Sequence, residues 1–240
     1  MTAPRDHGNW AQPVEQLSAA GVSGAPIDAV SGKRLSGPLQ GFGQLWQKTF
    51  RVRLDGVDLS PQELIATWKA SFPNFWPKDA EFYAPLAGIT PGEVALLAIP
   101  PVPGSPVKLS TGILVIYADD ESFTFMTPQG HMLSAWITFS AAKVDGVTVA
   151  QAQALERTSD PFDELAYMLG GNALNNRFWE QTLANLARHV GVAEPNVDTR
   201  VVCIDRHRQW RQARNIRHSV TVRTVRLTLT APFRRLSRRR

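Results

Sequence analysis

Residues 147–191 read VTVAQAQALERTSDPFDELAYMLGGNALNNRFWEQTLANLARHVG, and this stretch decides the fold. Its opening, Val147 to Arg157, lacks Gly and Pro and reads as a strand. Asp160-Pro161 then starts a helix. Asp160 stands at the N-cap, Pro161 takes the first helical position where no amide is orphaned, and Asp163 and Glu164 complement the dipole in the first turn. One apolar stripe, Phe162, Leu165, Ala166 and Leu169, precedes Gly170-Gly171; a second, Leu174, Phe178, Leu183, Leu186, Ala187 and Val190, follows it, and Gly191 fits a C-terminal cap. Two adjacent glycines cost about 2 kcal/mol relative to alanine in a helix interior, so a bend or break is expected there. Packing over a curved sheet explains such a kink more simply than a gate for ligand entry does. A strand run feeding a long amphipathic helix predicts a curved sheet gripping that helix, with room for an apolar cavity between them.

Upstream, Asp145-Gly146 is a hairpin signal, and earlier strands are expected at about Glu93–Ile99, Thr111–Tyr117, Phe123–Thr127 and His131–Ala142. Short loops between the last four strands make an antiparallel meander the economical connection. Trp46 to Leu54 alternates: Trp46, Phe50, Val52 and Leu54 face one way with Lys48 as the single exception, and Gln47, Thr49, Arg51 and Arg53 face the other. Ser60-Pro61-Gln62-Glu63 is a capping box that starts a helix with Leu64, Ile65, Trp68 and Phe72 on one stripe, and Pro73 stops it. The aromatics Phe72, Phe75, Trp76, Phe82 and Tyr83 read as a plug for one end of the core.

With 240 residues, 43% of them hydrophobic, the chain can bury one sizeable core. The expected division is a flexible N-terminal arm over 1–42, rich in Pro, Gly, Ser and Ala, a domain over 43–192, and a basic extension over 193–240. From Arg200 to Arg240 there are thirteen arginines, no lysine and one acid, Asp205, a net +12; the preceding residues therefore carry −7 of the total of +5. A mildly acidic globule bears a cationic arm whose natural partners are polyanions. Arg206, Arg208, Arg211, Arg214 and Arg217, interleaved with Trp210, suit an anionic membrane surface better than nucleic acid, because stacking aromatics are sparse; a disordered, solvated tail with incidental charge is the other reading. The lone Cys203 forms no internal disulfide, no secretory signal is evident, and apolar runs such as 94–101 fall well short of the roughly 18 residues that span a bilayer. A cytoplasmic protein, peripheral at the inner membrane face, is the expected location.

Catalytic signatures are missing from the sequence. It contains no Walker phosphate loop, nucleophile elbow, HExxH helix or zinc-type Cys/His spacing, and Gly41-Phe42-Gly43 lacks the third glycine of a dinucleotide loop. No cofactor and no metal are expected. His131, Tyr117 and Glu156 are the acid/base candidates, His131 because it follows Gly130 at a strand start. If Val147, Val149, Gln151, Gln153 and Leu155 share the inward face of one strand, two amides enter an apolar pocket.

The order strand, helix, long connection, antiparallel strands, final long helix resembles the START-like or SRPBCC superfamily, which includes polyketide cyclase-like proteins. The resemblance covers about 43–192 and is carried by Thr127-Pro128-Gln129-Gly130-His131, by Ala135-Trp136-Ile137-Thr138-Phe139-Ser140, and by the closing helix from Ser159-Asp160-Pro161-Phe162 through Leu169-Gly170-Gly171 to Phe178-Trp179. It implies an α+β helix-grip fold, a curved antiparallel sheet wrapped around a long C-terminal helix, holding a small hydrophobic ligand such as a lipid, polyketide or aromatic metabolite. Tyr117, Phe125, Trp136, Gln151, Gln153, Leu169 and Phe178 are the expected lining. The superfamily also contains enzymes, so a cyclase-like or hydratase-like activity and a ligand-free interaction module are the alternatives. The arginine-rich tail departs from the helix-grip core and needs its own explanation.

Overall fold

A computed structural model describes residues 7–25 and 27–227. Eight strands form one antiparallel sheet: β1 (Leu45–Arg53), β2 (Glu81–Tyr83), β3 (Val94–Ile99), β4 (Leu109–Ala118), β5 (Ser122–Met126), β6 (Leu133–Val144), β7 (Val147–Thr158) and β8 (Val197–Asp205). Their spatial order is β2-β3-β4-β5-β6-β7-β1-β8, a meander from β2 to β7 with β1 inserted between β7 and β8. Asp145-Gly146 closes β6 onto β7 with φ values of 50° and 79°, the positive pair that a two-residue hairpin of matching twist needs. The helices are α1 (Pro61–Ser71), α2 (Pro161–Ala166) and α3 (Asn172–His189), with a π-type turn, Tyr167–Gly171, between the last two. Both expected caps form. Ser60 and Glu63 make the full capping box of α1, and Asp160 accepts from the amides of Phe162 and Asp163 at the start of α2.

The inner face of the sheet closes on α1 and α3. Phe50 and Val52 of β1, Phe123 and Phe125 of β5, Phe139 of β6 and Ala150 and Ala152 of β7 join Leu64, Ile65 and Trp68 of α1 and Leu183, Leu186 and Ala187 of α3 in one buried cluster. Phe72, just past α1, is its hub, with ring centroids of Phe82, Phe123, Phe125 and Phe139 at 5.0 to 5.7 Å in edge-on or steeply inclined contact. This is the α+β helix-grip fold that the sequence predicts.

Two segments lie differently from expectation. The N-terminal stretch does not stand away as a loose arm. Leu17, Ala19 and Val30 are buried against Val94, Leu96 and Leu114, covering the outer face of β3 and β4, where alternate apolar residues would otherwise meet water. Past residue 192 the chain returns to the sheet. Strand β8 pairs with β1 from Leu45↔Asp205 to Val52↔Val197, with a register shift near Trp46, so 197–205 extend the sheet instead of leaving it. A 3-10 helix, Trp210–His218, and a helical stretch over 220–227 then cross the end of the sheet near α2. The terminal residues 228–240, with their arginine run, lie outside the described residues.

Candidate functional site beneath the helix kink

Strand β1 turns Lys48, Phe50 and Val52 inward together, so the one charged residue on its apolar face goes into the interior with a fully buried side chain. Registration of Trp46 with Glu156 and of Lys48 with Ala154 makes Lys48 and Glu156 diagonal neighbours on that face. Lys48 Nζ lies 3.0 Å from Glu156 Oε1 and donates to Asn172 Oδ1 at 2.7 Å. Asn175 Nδ2 donates to Glu156 Oε1 at 2.9 Å, the Tyr167 hydroxyl donates to the same oxygen, and the Tyr167 ring centroid is 5.0 Å from Lys48 Nζ. Burial pushes the Lys48 ammonium below its ordinary pKa, and the Glu156 carboxylate draws it back up. Burial, reinforced by the same carboxylate, pushes the Tyr167 hydroxyl far up and keeps it protonated.

The roof of this cluster is the break between α2 and α3. Gly170 has φ 125°, outside helical space and in the region that favours glycine, and the π-type turn re-aims the start of α3 so that Asn172 and Asn175 point down onto the pair. Glycine matters at a second point. A Cβ on Gly43 would come within 2.0 Å of Thr158 Oγ1 and 2.2 Å of Glu164 Oε2, so the segment rejected above as a dinucleotide loop serves to pass closely beside α2.

The expected site residues separate. Phe125 is buried in the aromatic core and Phe178 packs against that core, partly buried. Glu156 is in the polar cluster. Trp136, Gln151 and Gln153 lie on the outer face, because it is Ala150, Ala152 and Ala154 that turn inward; Gln151 accepts from Arg51 at 2.6 Å and Gln153 donates to Thr49 at 3.3 Å. Gln151 also lines an open outer groove of about 580 Å³ whose walls include Arg51, Arg53, Glu194 and Asp198, a charged surface unlike an apolar container. Tyr117 packs on Trp10 of the N-terminal segment at 4.7 Å and its hydroxyl donates to Asp119. Leu169 is 80% exposed. His131 is buried in the turn before β6, where its Nδ1 accepts from the Leu133 amide at 3.0 Å and burial pushes its pKa down to about 4. Its bonds belong to the turn and not to the Lys48–Glu156 cluster. Sequence reasoning missed Lys48, Tyr167, Asn172 and Asn175; the signal for the first was the single break in the apolar face of β1.

The basic segment meets α2 through acids. Arg157, buried at the end of β7, donates to Gly43 O and Asp205 Oδ2 at 2.5 Å each and to His207 O at 3.0 Å, and the His207 amide and Arg157 hold Asp205 well below the usual carboxylate range. Arg208 Nε donates to Glu164 Oε1 at 2.9 Å. Trp210 sets its edge on Phe42 at 5.3 Å yet remains largely exposed. Arg206, Arg211, Arg214 and Arg217 are exposed. Among the described residues no His, Cys, Asp and Glu group is placed to hold a metal, and no helix is long and apolar enough to cross a membrane.

A curved antiparallel sheet closed around a kinked C-terminal helix is the helix-grip fold, here with a buried polar cluster beneath the kink. No family model matches the chain, and no curated protein does. Solved structures similar to it include the protein KanY (14% identity over 62% of this chain and 99% of that one, TM-score 0.45) and the major latex-like protein 151 from Panax ginseng (13% identity over 62% and 100%, TM-score 0.40). The di-domain ARO/CYC protein StfQ from the steffimycin biosynthetic pathway is similar at 11% identity over 62% of this chain and 53% of that one, with a TM-score of 0.47.

Proposed function

We propose that the protein binds a small hydrophobic or amphipathic molecule, of the lipid, polyketide or aromatic-metabolite class, between the sheet and the start of α3. Its polar end would rest on Lys48, Glu156, Tyr167 and Asn175. The observation that carries this reading is the buried Lys48–Glu156 pair at 3.0 Å. Replacing a buried ion pair by apolar residues of like volume is often neutral or stabilising, so recognition explains its presence better than stability does. The break at Gly170 lies directly above it, where the helical ladder is already interrupted and parting it from the sheet costs least. In this reading the basic C-terminal residues hold the carrier at an anionic membrane surface, the inner membrane face. Protein purified from its own host, examined by native mass spectrometry and organic extraction, should release a hydrophobic molecule, and Lys48→Met should release none. An empty wild-type protein that takes up no added fatty acid would overturn the proposal.

A second reading is a cyclase-like or hydratase-like enzyme, favoured by the Tyr167 hydroxyl held on the Glu156 carboxylate. Of the three acid/base candidates, Glu156 is the one beside the proposed ligand position. Turnover lost in Glu156→Gln with binding intact would establish it. Dense ring packing on the inner face supports the third reading, a ligand-free interaction module.

A further inference from the structure

Helix α2 is inside out. Its acids, Asp163 and Glu164, are buried, while Phe162 and Leu165 together with Met168 and Leu169 of the following turn are 40%, 53%, 65% and 80% exposed. A solvated helix does the reverse. The helix is also locked in this orientation. Thr221 Oγ1 donates to Asp163 Oδ1 at 2.7 Å, Thr158 Oγ1 donates to Glu164 Oε2 at 2.8 Å, and Arg208 grips the other Glu164 oxygen. Four large apolar side chains at helical spacing are therefore held outward beside the kink, and such a patch marks an interaction surface.

The guanidinium groups next to it indicate what covers it. Arg208 Nη2 reaches Met168 Sδ at 3.2 Å, joining the apolar patch to the 3-10 helix Trp210–His218. Three residues per turn with about 2 Å rise per residue bring Arg211, Arg214 and Arg217 into one row with about 6 Å between neighbours. All three are exposed, and none pairs with an acid among the described residues. Asn215 fixes the helix to the body by donating to Gln40 O at 2.8 Å and Ser159 O at 3.0 Å. Trp210 and Ile216 occupy a separate row and are also exposed.

We infer that the outward face of α2 and its kink, flanked by the Arg211, Arg214 and Arg217 row, is a docking face for an anionic lipid bilayer that seats the kink against the membrane. A bilayer offers apolar depth for Phe162, Leu165, Met168 and Leu169 and phosphates for the arginines at once. A nucleic acid would leave the leucines and methionine uncovered. A second copy meeting the same face would bring two arginine rows together, like charge on like. This inference rests on the proposed ligand reading and adds to it a route, from the bilayer past Gly170 to Lys48 and Glu156. It differs from attachment by the terminal arginines because it requires α2 to insert.

The test is flotation of the full chain with vesicles of phosphatidylcholine alone or mixed with phosphatidylglycerol, alongside binding of a soluble fluorescent fatty acid. Wild type should float only with the mixed vesicles. Arg211→Glu, Arg214→Glu and Arg217→Glu combined should weaken this by about a hundredfold or more, and Leu165→Glu with Leu169→Glu by about tenfold or more. All these side chains are exposed, so near-ultraviolet circular dichroism and fatty-acid binding should stay as in wild type. Unchanged flotation of the leucine variant overturns the inference. So does a dimer that the leucine variant dissociates while flotation persists, or a preference for RNA over mixed vesicles at matched salt. Flotation with the expected losses but without fatty-acid binding in wild type leaves the docking face standing and removes the ligand reading; fatty-acid binding without flotation does the opposite.

Discussion

Along α3 the helix meets two different surfaces. From Phe178 to Val190 it lies on rings and aliphatic side chains, with Phe178 5.0 Å from Trp76 and Trp179 5.5 Å from Phe139. From Asn172 to Asn175 its own two side-chain amides rest on the Lys48–Glu156 charge pair, beside the Tyr167 phenol. The first half is stabilised by apolar area removed from water, which is non-directional and tolerant of small movement. The second depends on each polar atom keeping its partner, because an unpaired charge in the same place is costly. The aromatic half supplies stability, and the polar half has the chemistry to recognise a ligand.

The comparison breaks most visibly at its hub. Phe72→Ala should cost about 3–5 kcal/mol, read as a large fall in the thermal midpoint, because the ring is fully buried among five others. A mild effect would mean the rings enclose more free space than their contacts imply. Glu156→Ala should cost about 3 kcal/mol or more by leaving Lys48 buried and unpaired. Lys48→Met with Glu156→Leu should recover most of that loss in denaturant titration yet abolish ligand uptake. Recovery of both stability and uptake would erase the contrast between the halves.

The third prediction is a pH dependence. Burial, aided by Asp160, pushes the Asp163 carboxyl up to about 9. Folded protein thus keeps a proton there that the unfolded chain gives up near 3.8, so this group's contribution to stability is fully present in acid and declines as pH rises from about 4 to about 9. Asp163→Asn, whose amide oxygen can still accept from Thr221, should gain on wild type through that window in denaturant titration and gain nothing further above it. A constant difference across the window would contradict the protonated state. The smallest effects belong to the outer face: Gln151→Ala and Gln153→Ala should each change stability by less than about 0.5 kcal/mol and leave ligand uptake untouched. A loss of uptake in either would return them to the site.

Much of the architecture was legible because local and tertiary signals agreed. The alternation of β1, the Asp145-Gly146 turn and the caps at Ser60 and Asp160 each specify one geometry. The inner face of β7 was misread because Val149 and Leu155 outrank Ala150, Ala152 and Ala154 in hydrophobicity, although the small residues are the ones that face the gripped helix. Strand β8 alternates plainly at Val197, Thr199, Val201 and Cys203, but it precedes an arginine-rich stretch whose charge dominated the reading of the whole segment. Inversion of α2 had no local signal. Six residues are too few for a period to choose a face, and Asp163 and Glu164 suit the first turn whether solvated or buried. Thr158, Arg208 and Thr221 decide the matter, and two of the three arrive more than forty residues later.

That dependence on late partners sets the order of assembly. The carboxyl groups under α2 are covered by Gly43 passing from one direction and by Arg208 and Thr221 returning from the other, and Gln209 N donates to Phe42 O at 2.7 Å where the two paths meet. Contacts of such long sequence separation must close large loops before they stabilise anything. During synthesis the sheet and α3 can form while α2 still lacks its acid partners, so α2 is the last turn of helix to settle. It should also be the first to open in native-state amide exchange, ahead of β6, β7 and α3. A chain whose final segment is delayed or clipped should therefore keep its core while α2 stays unsettled, and the entrance proposed beside Gly170 would be the part it loses.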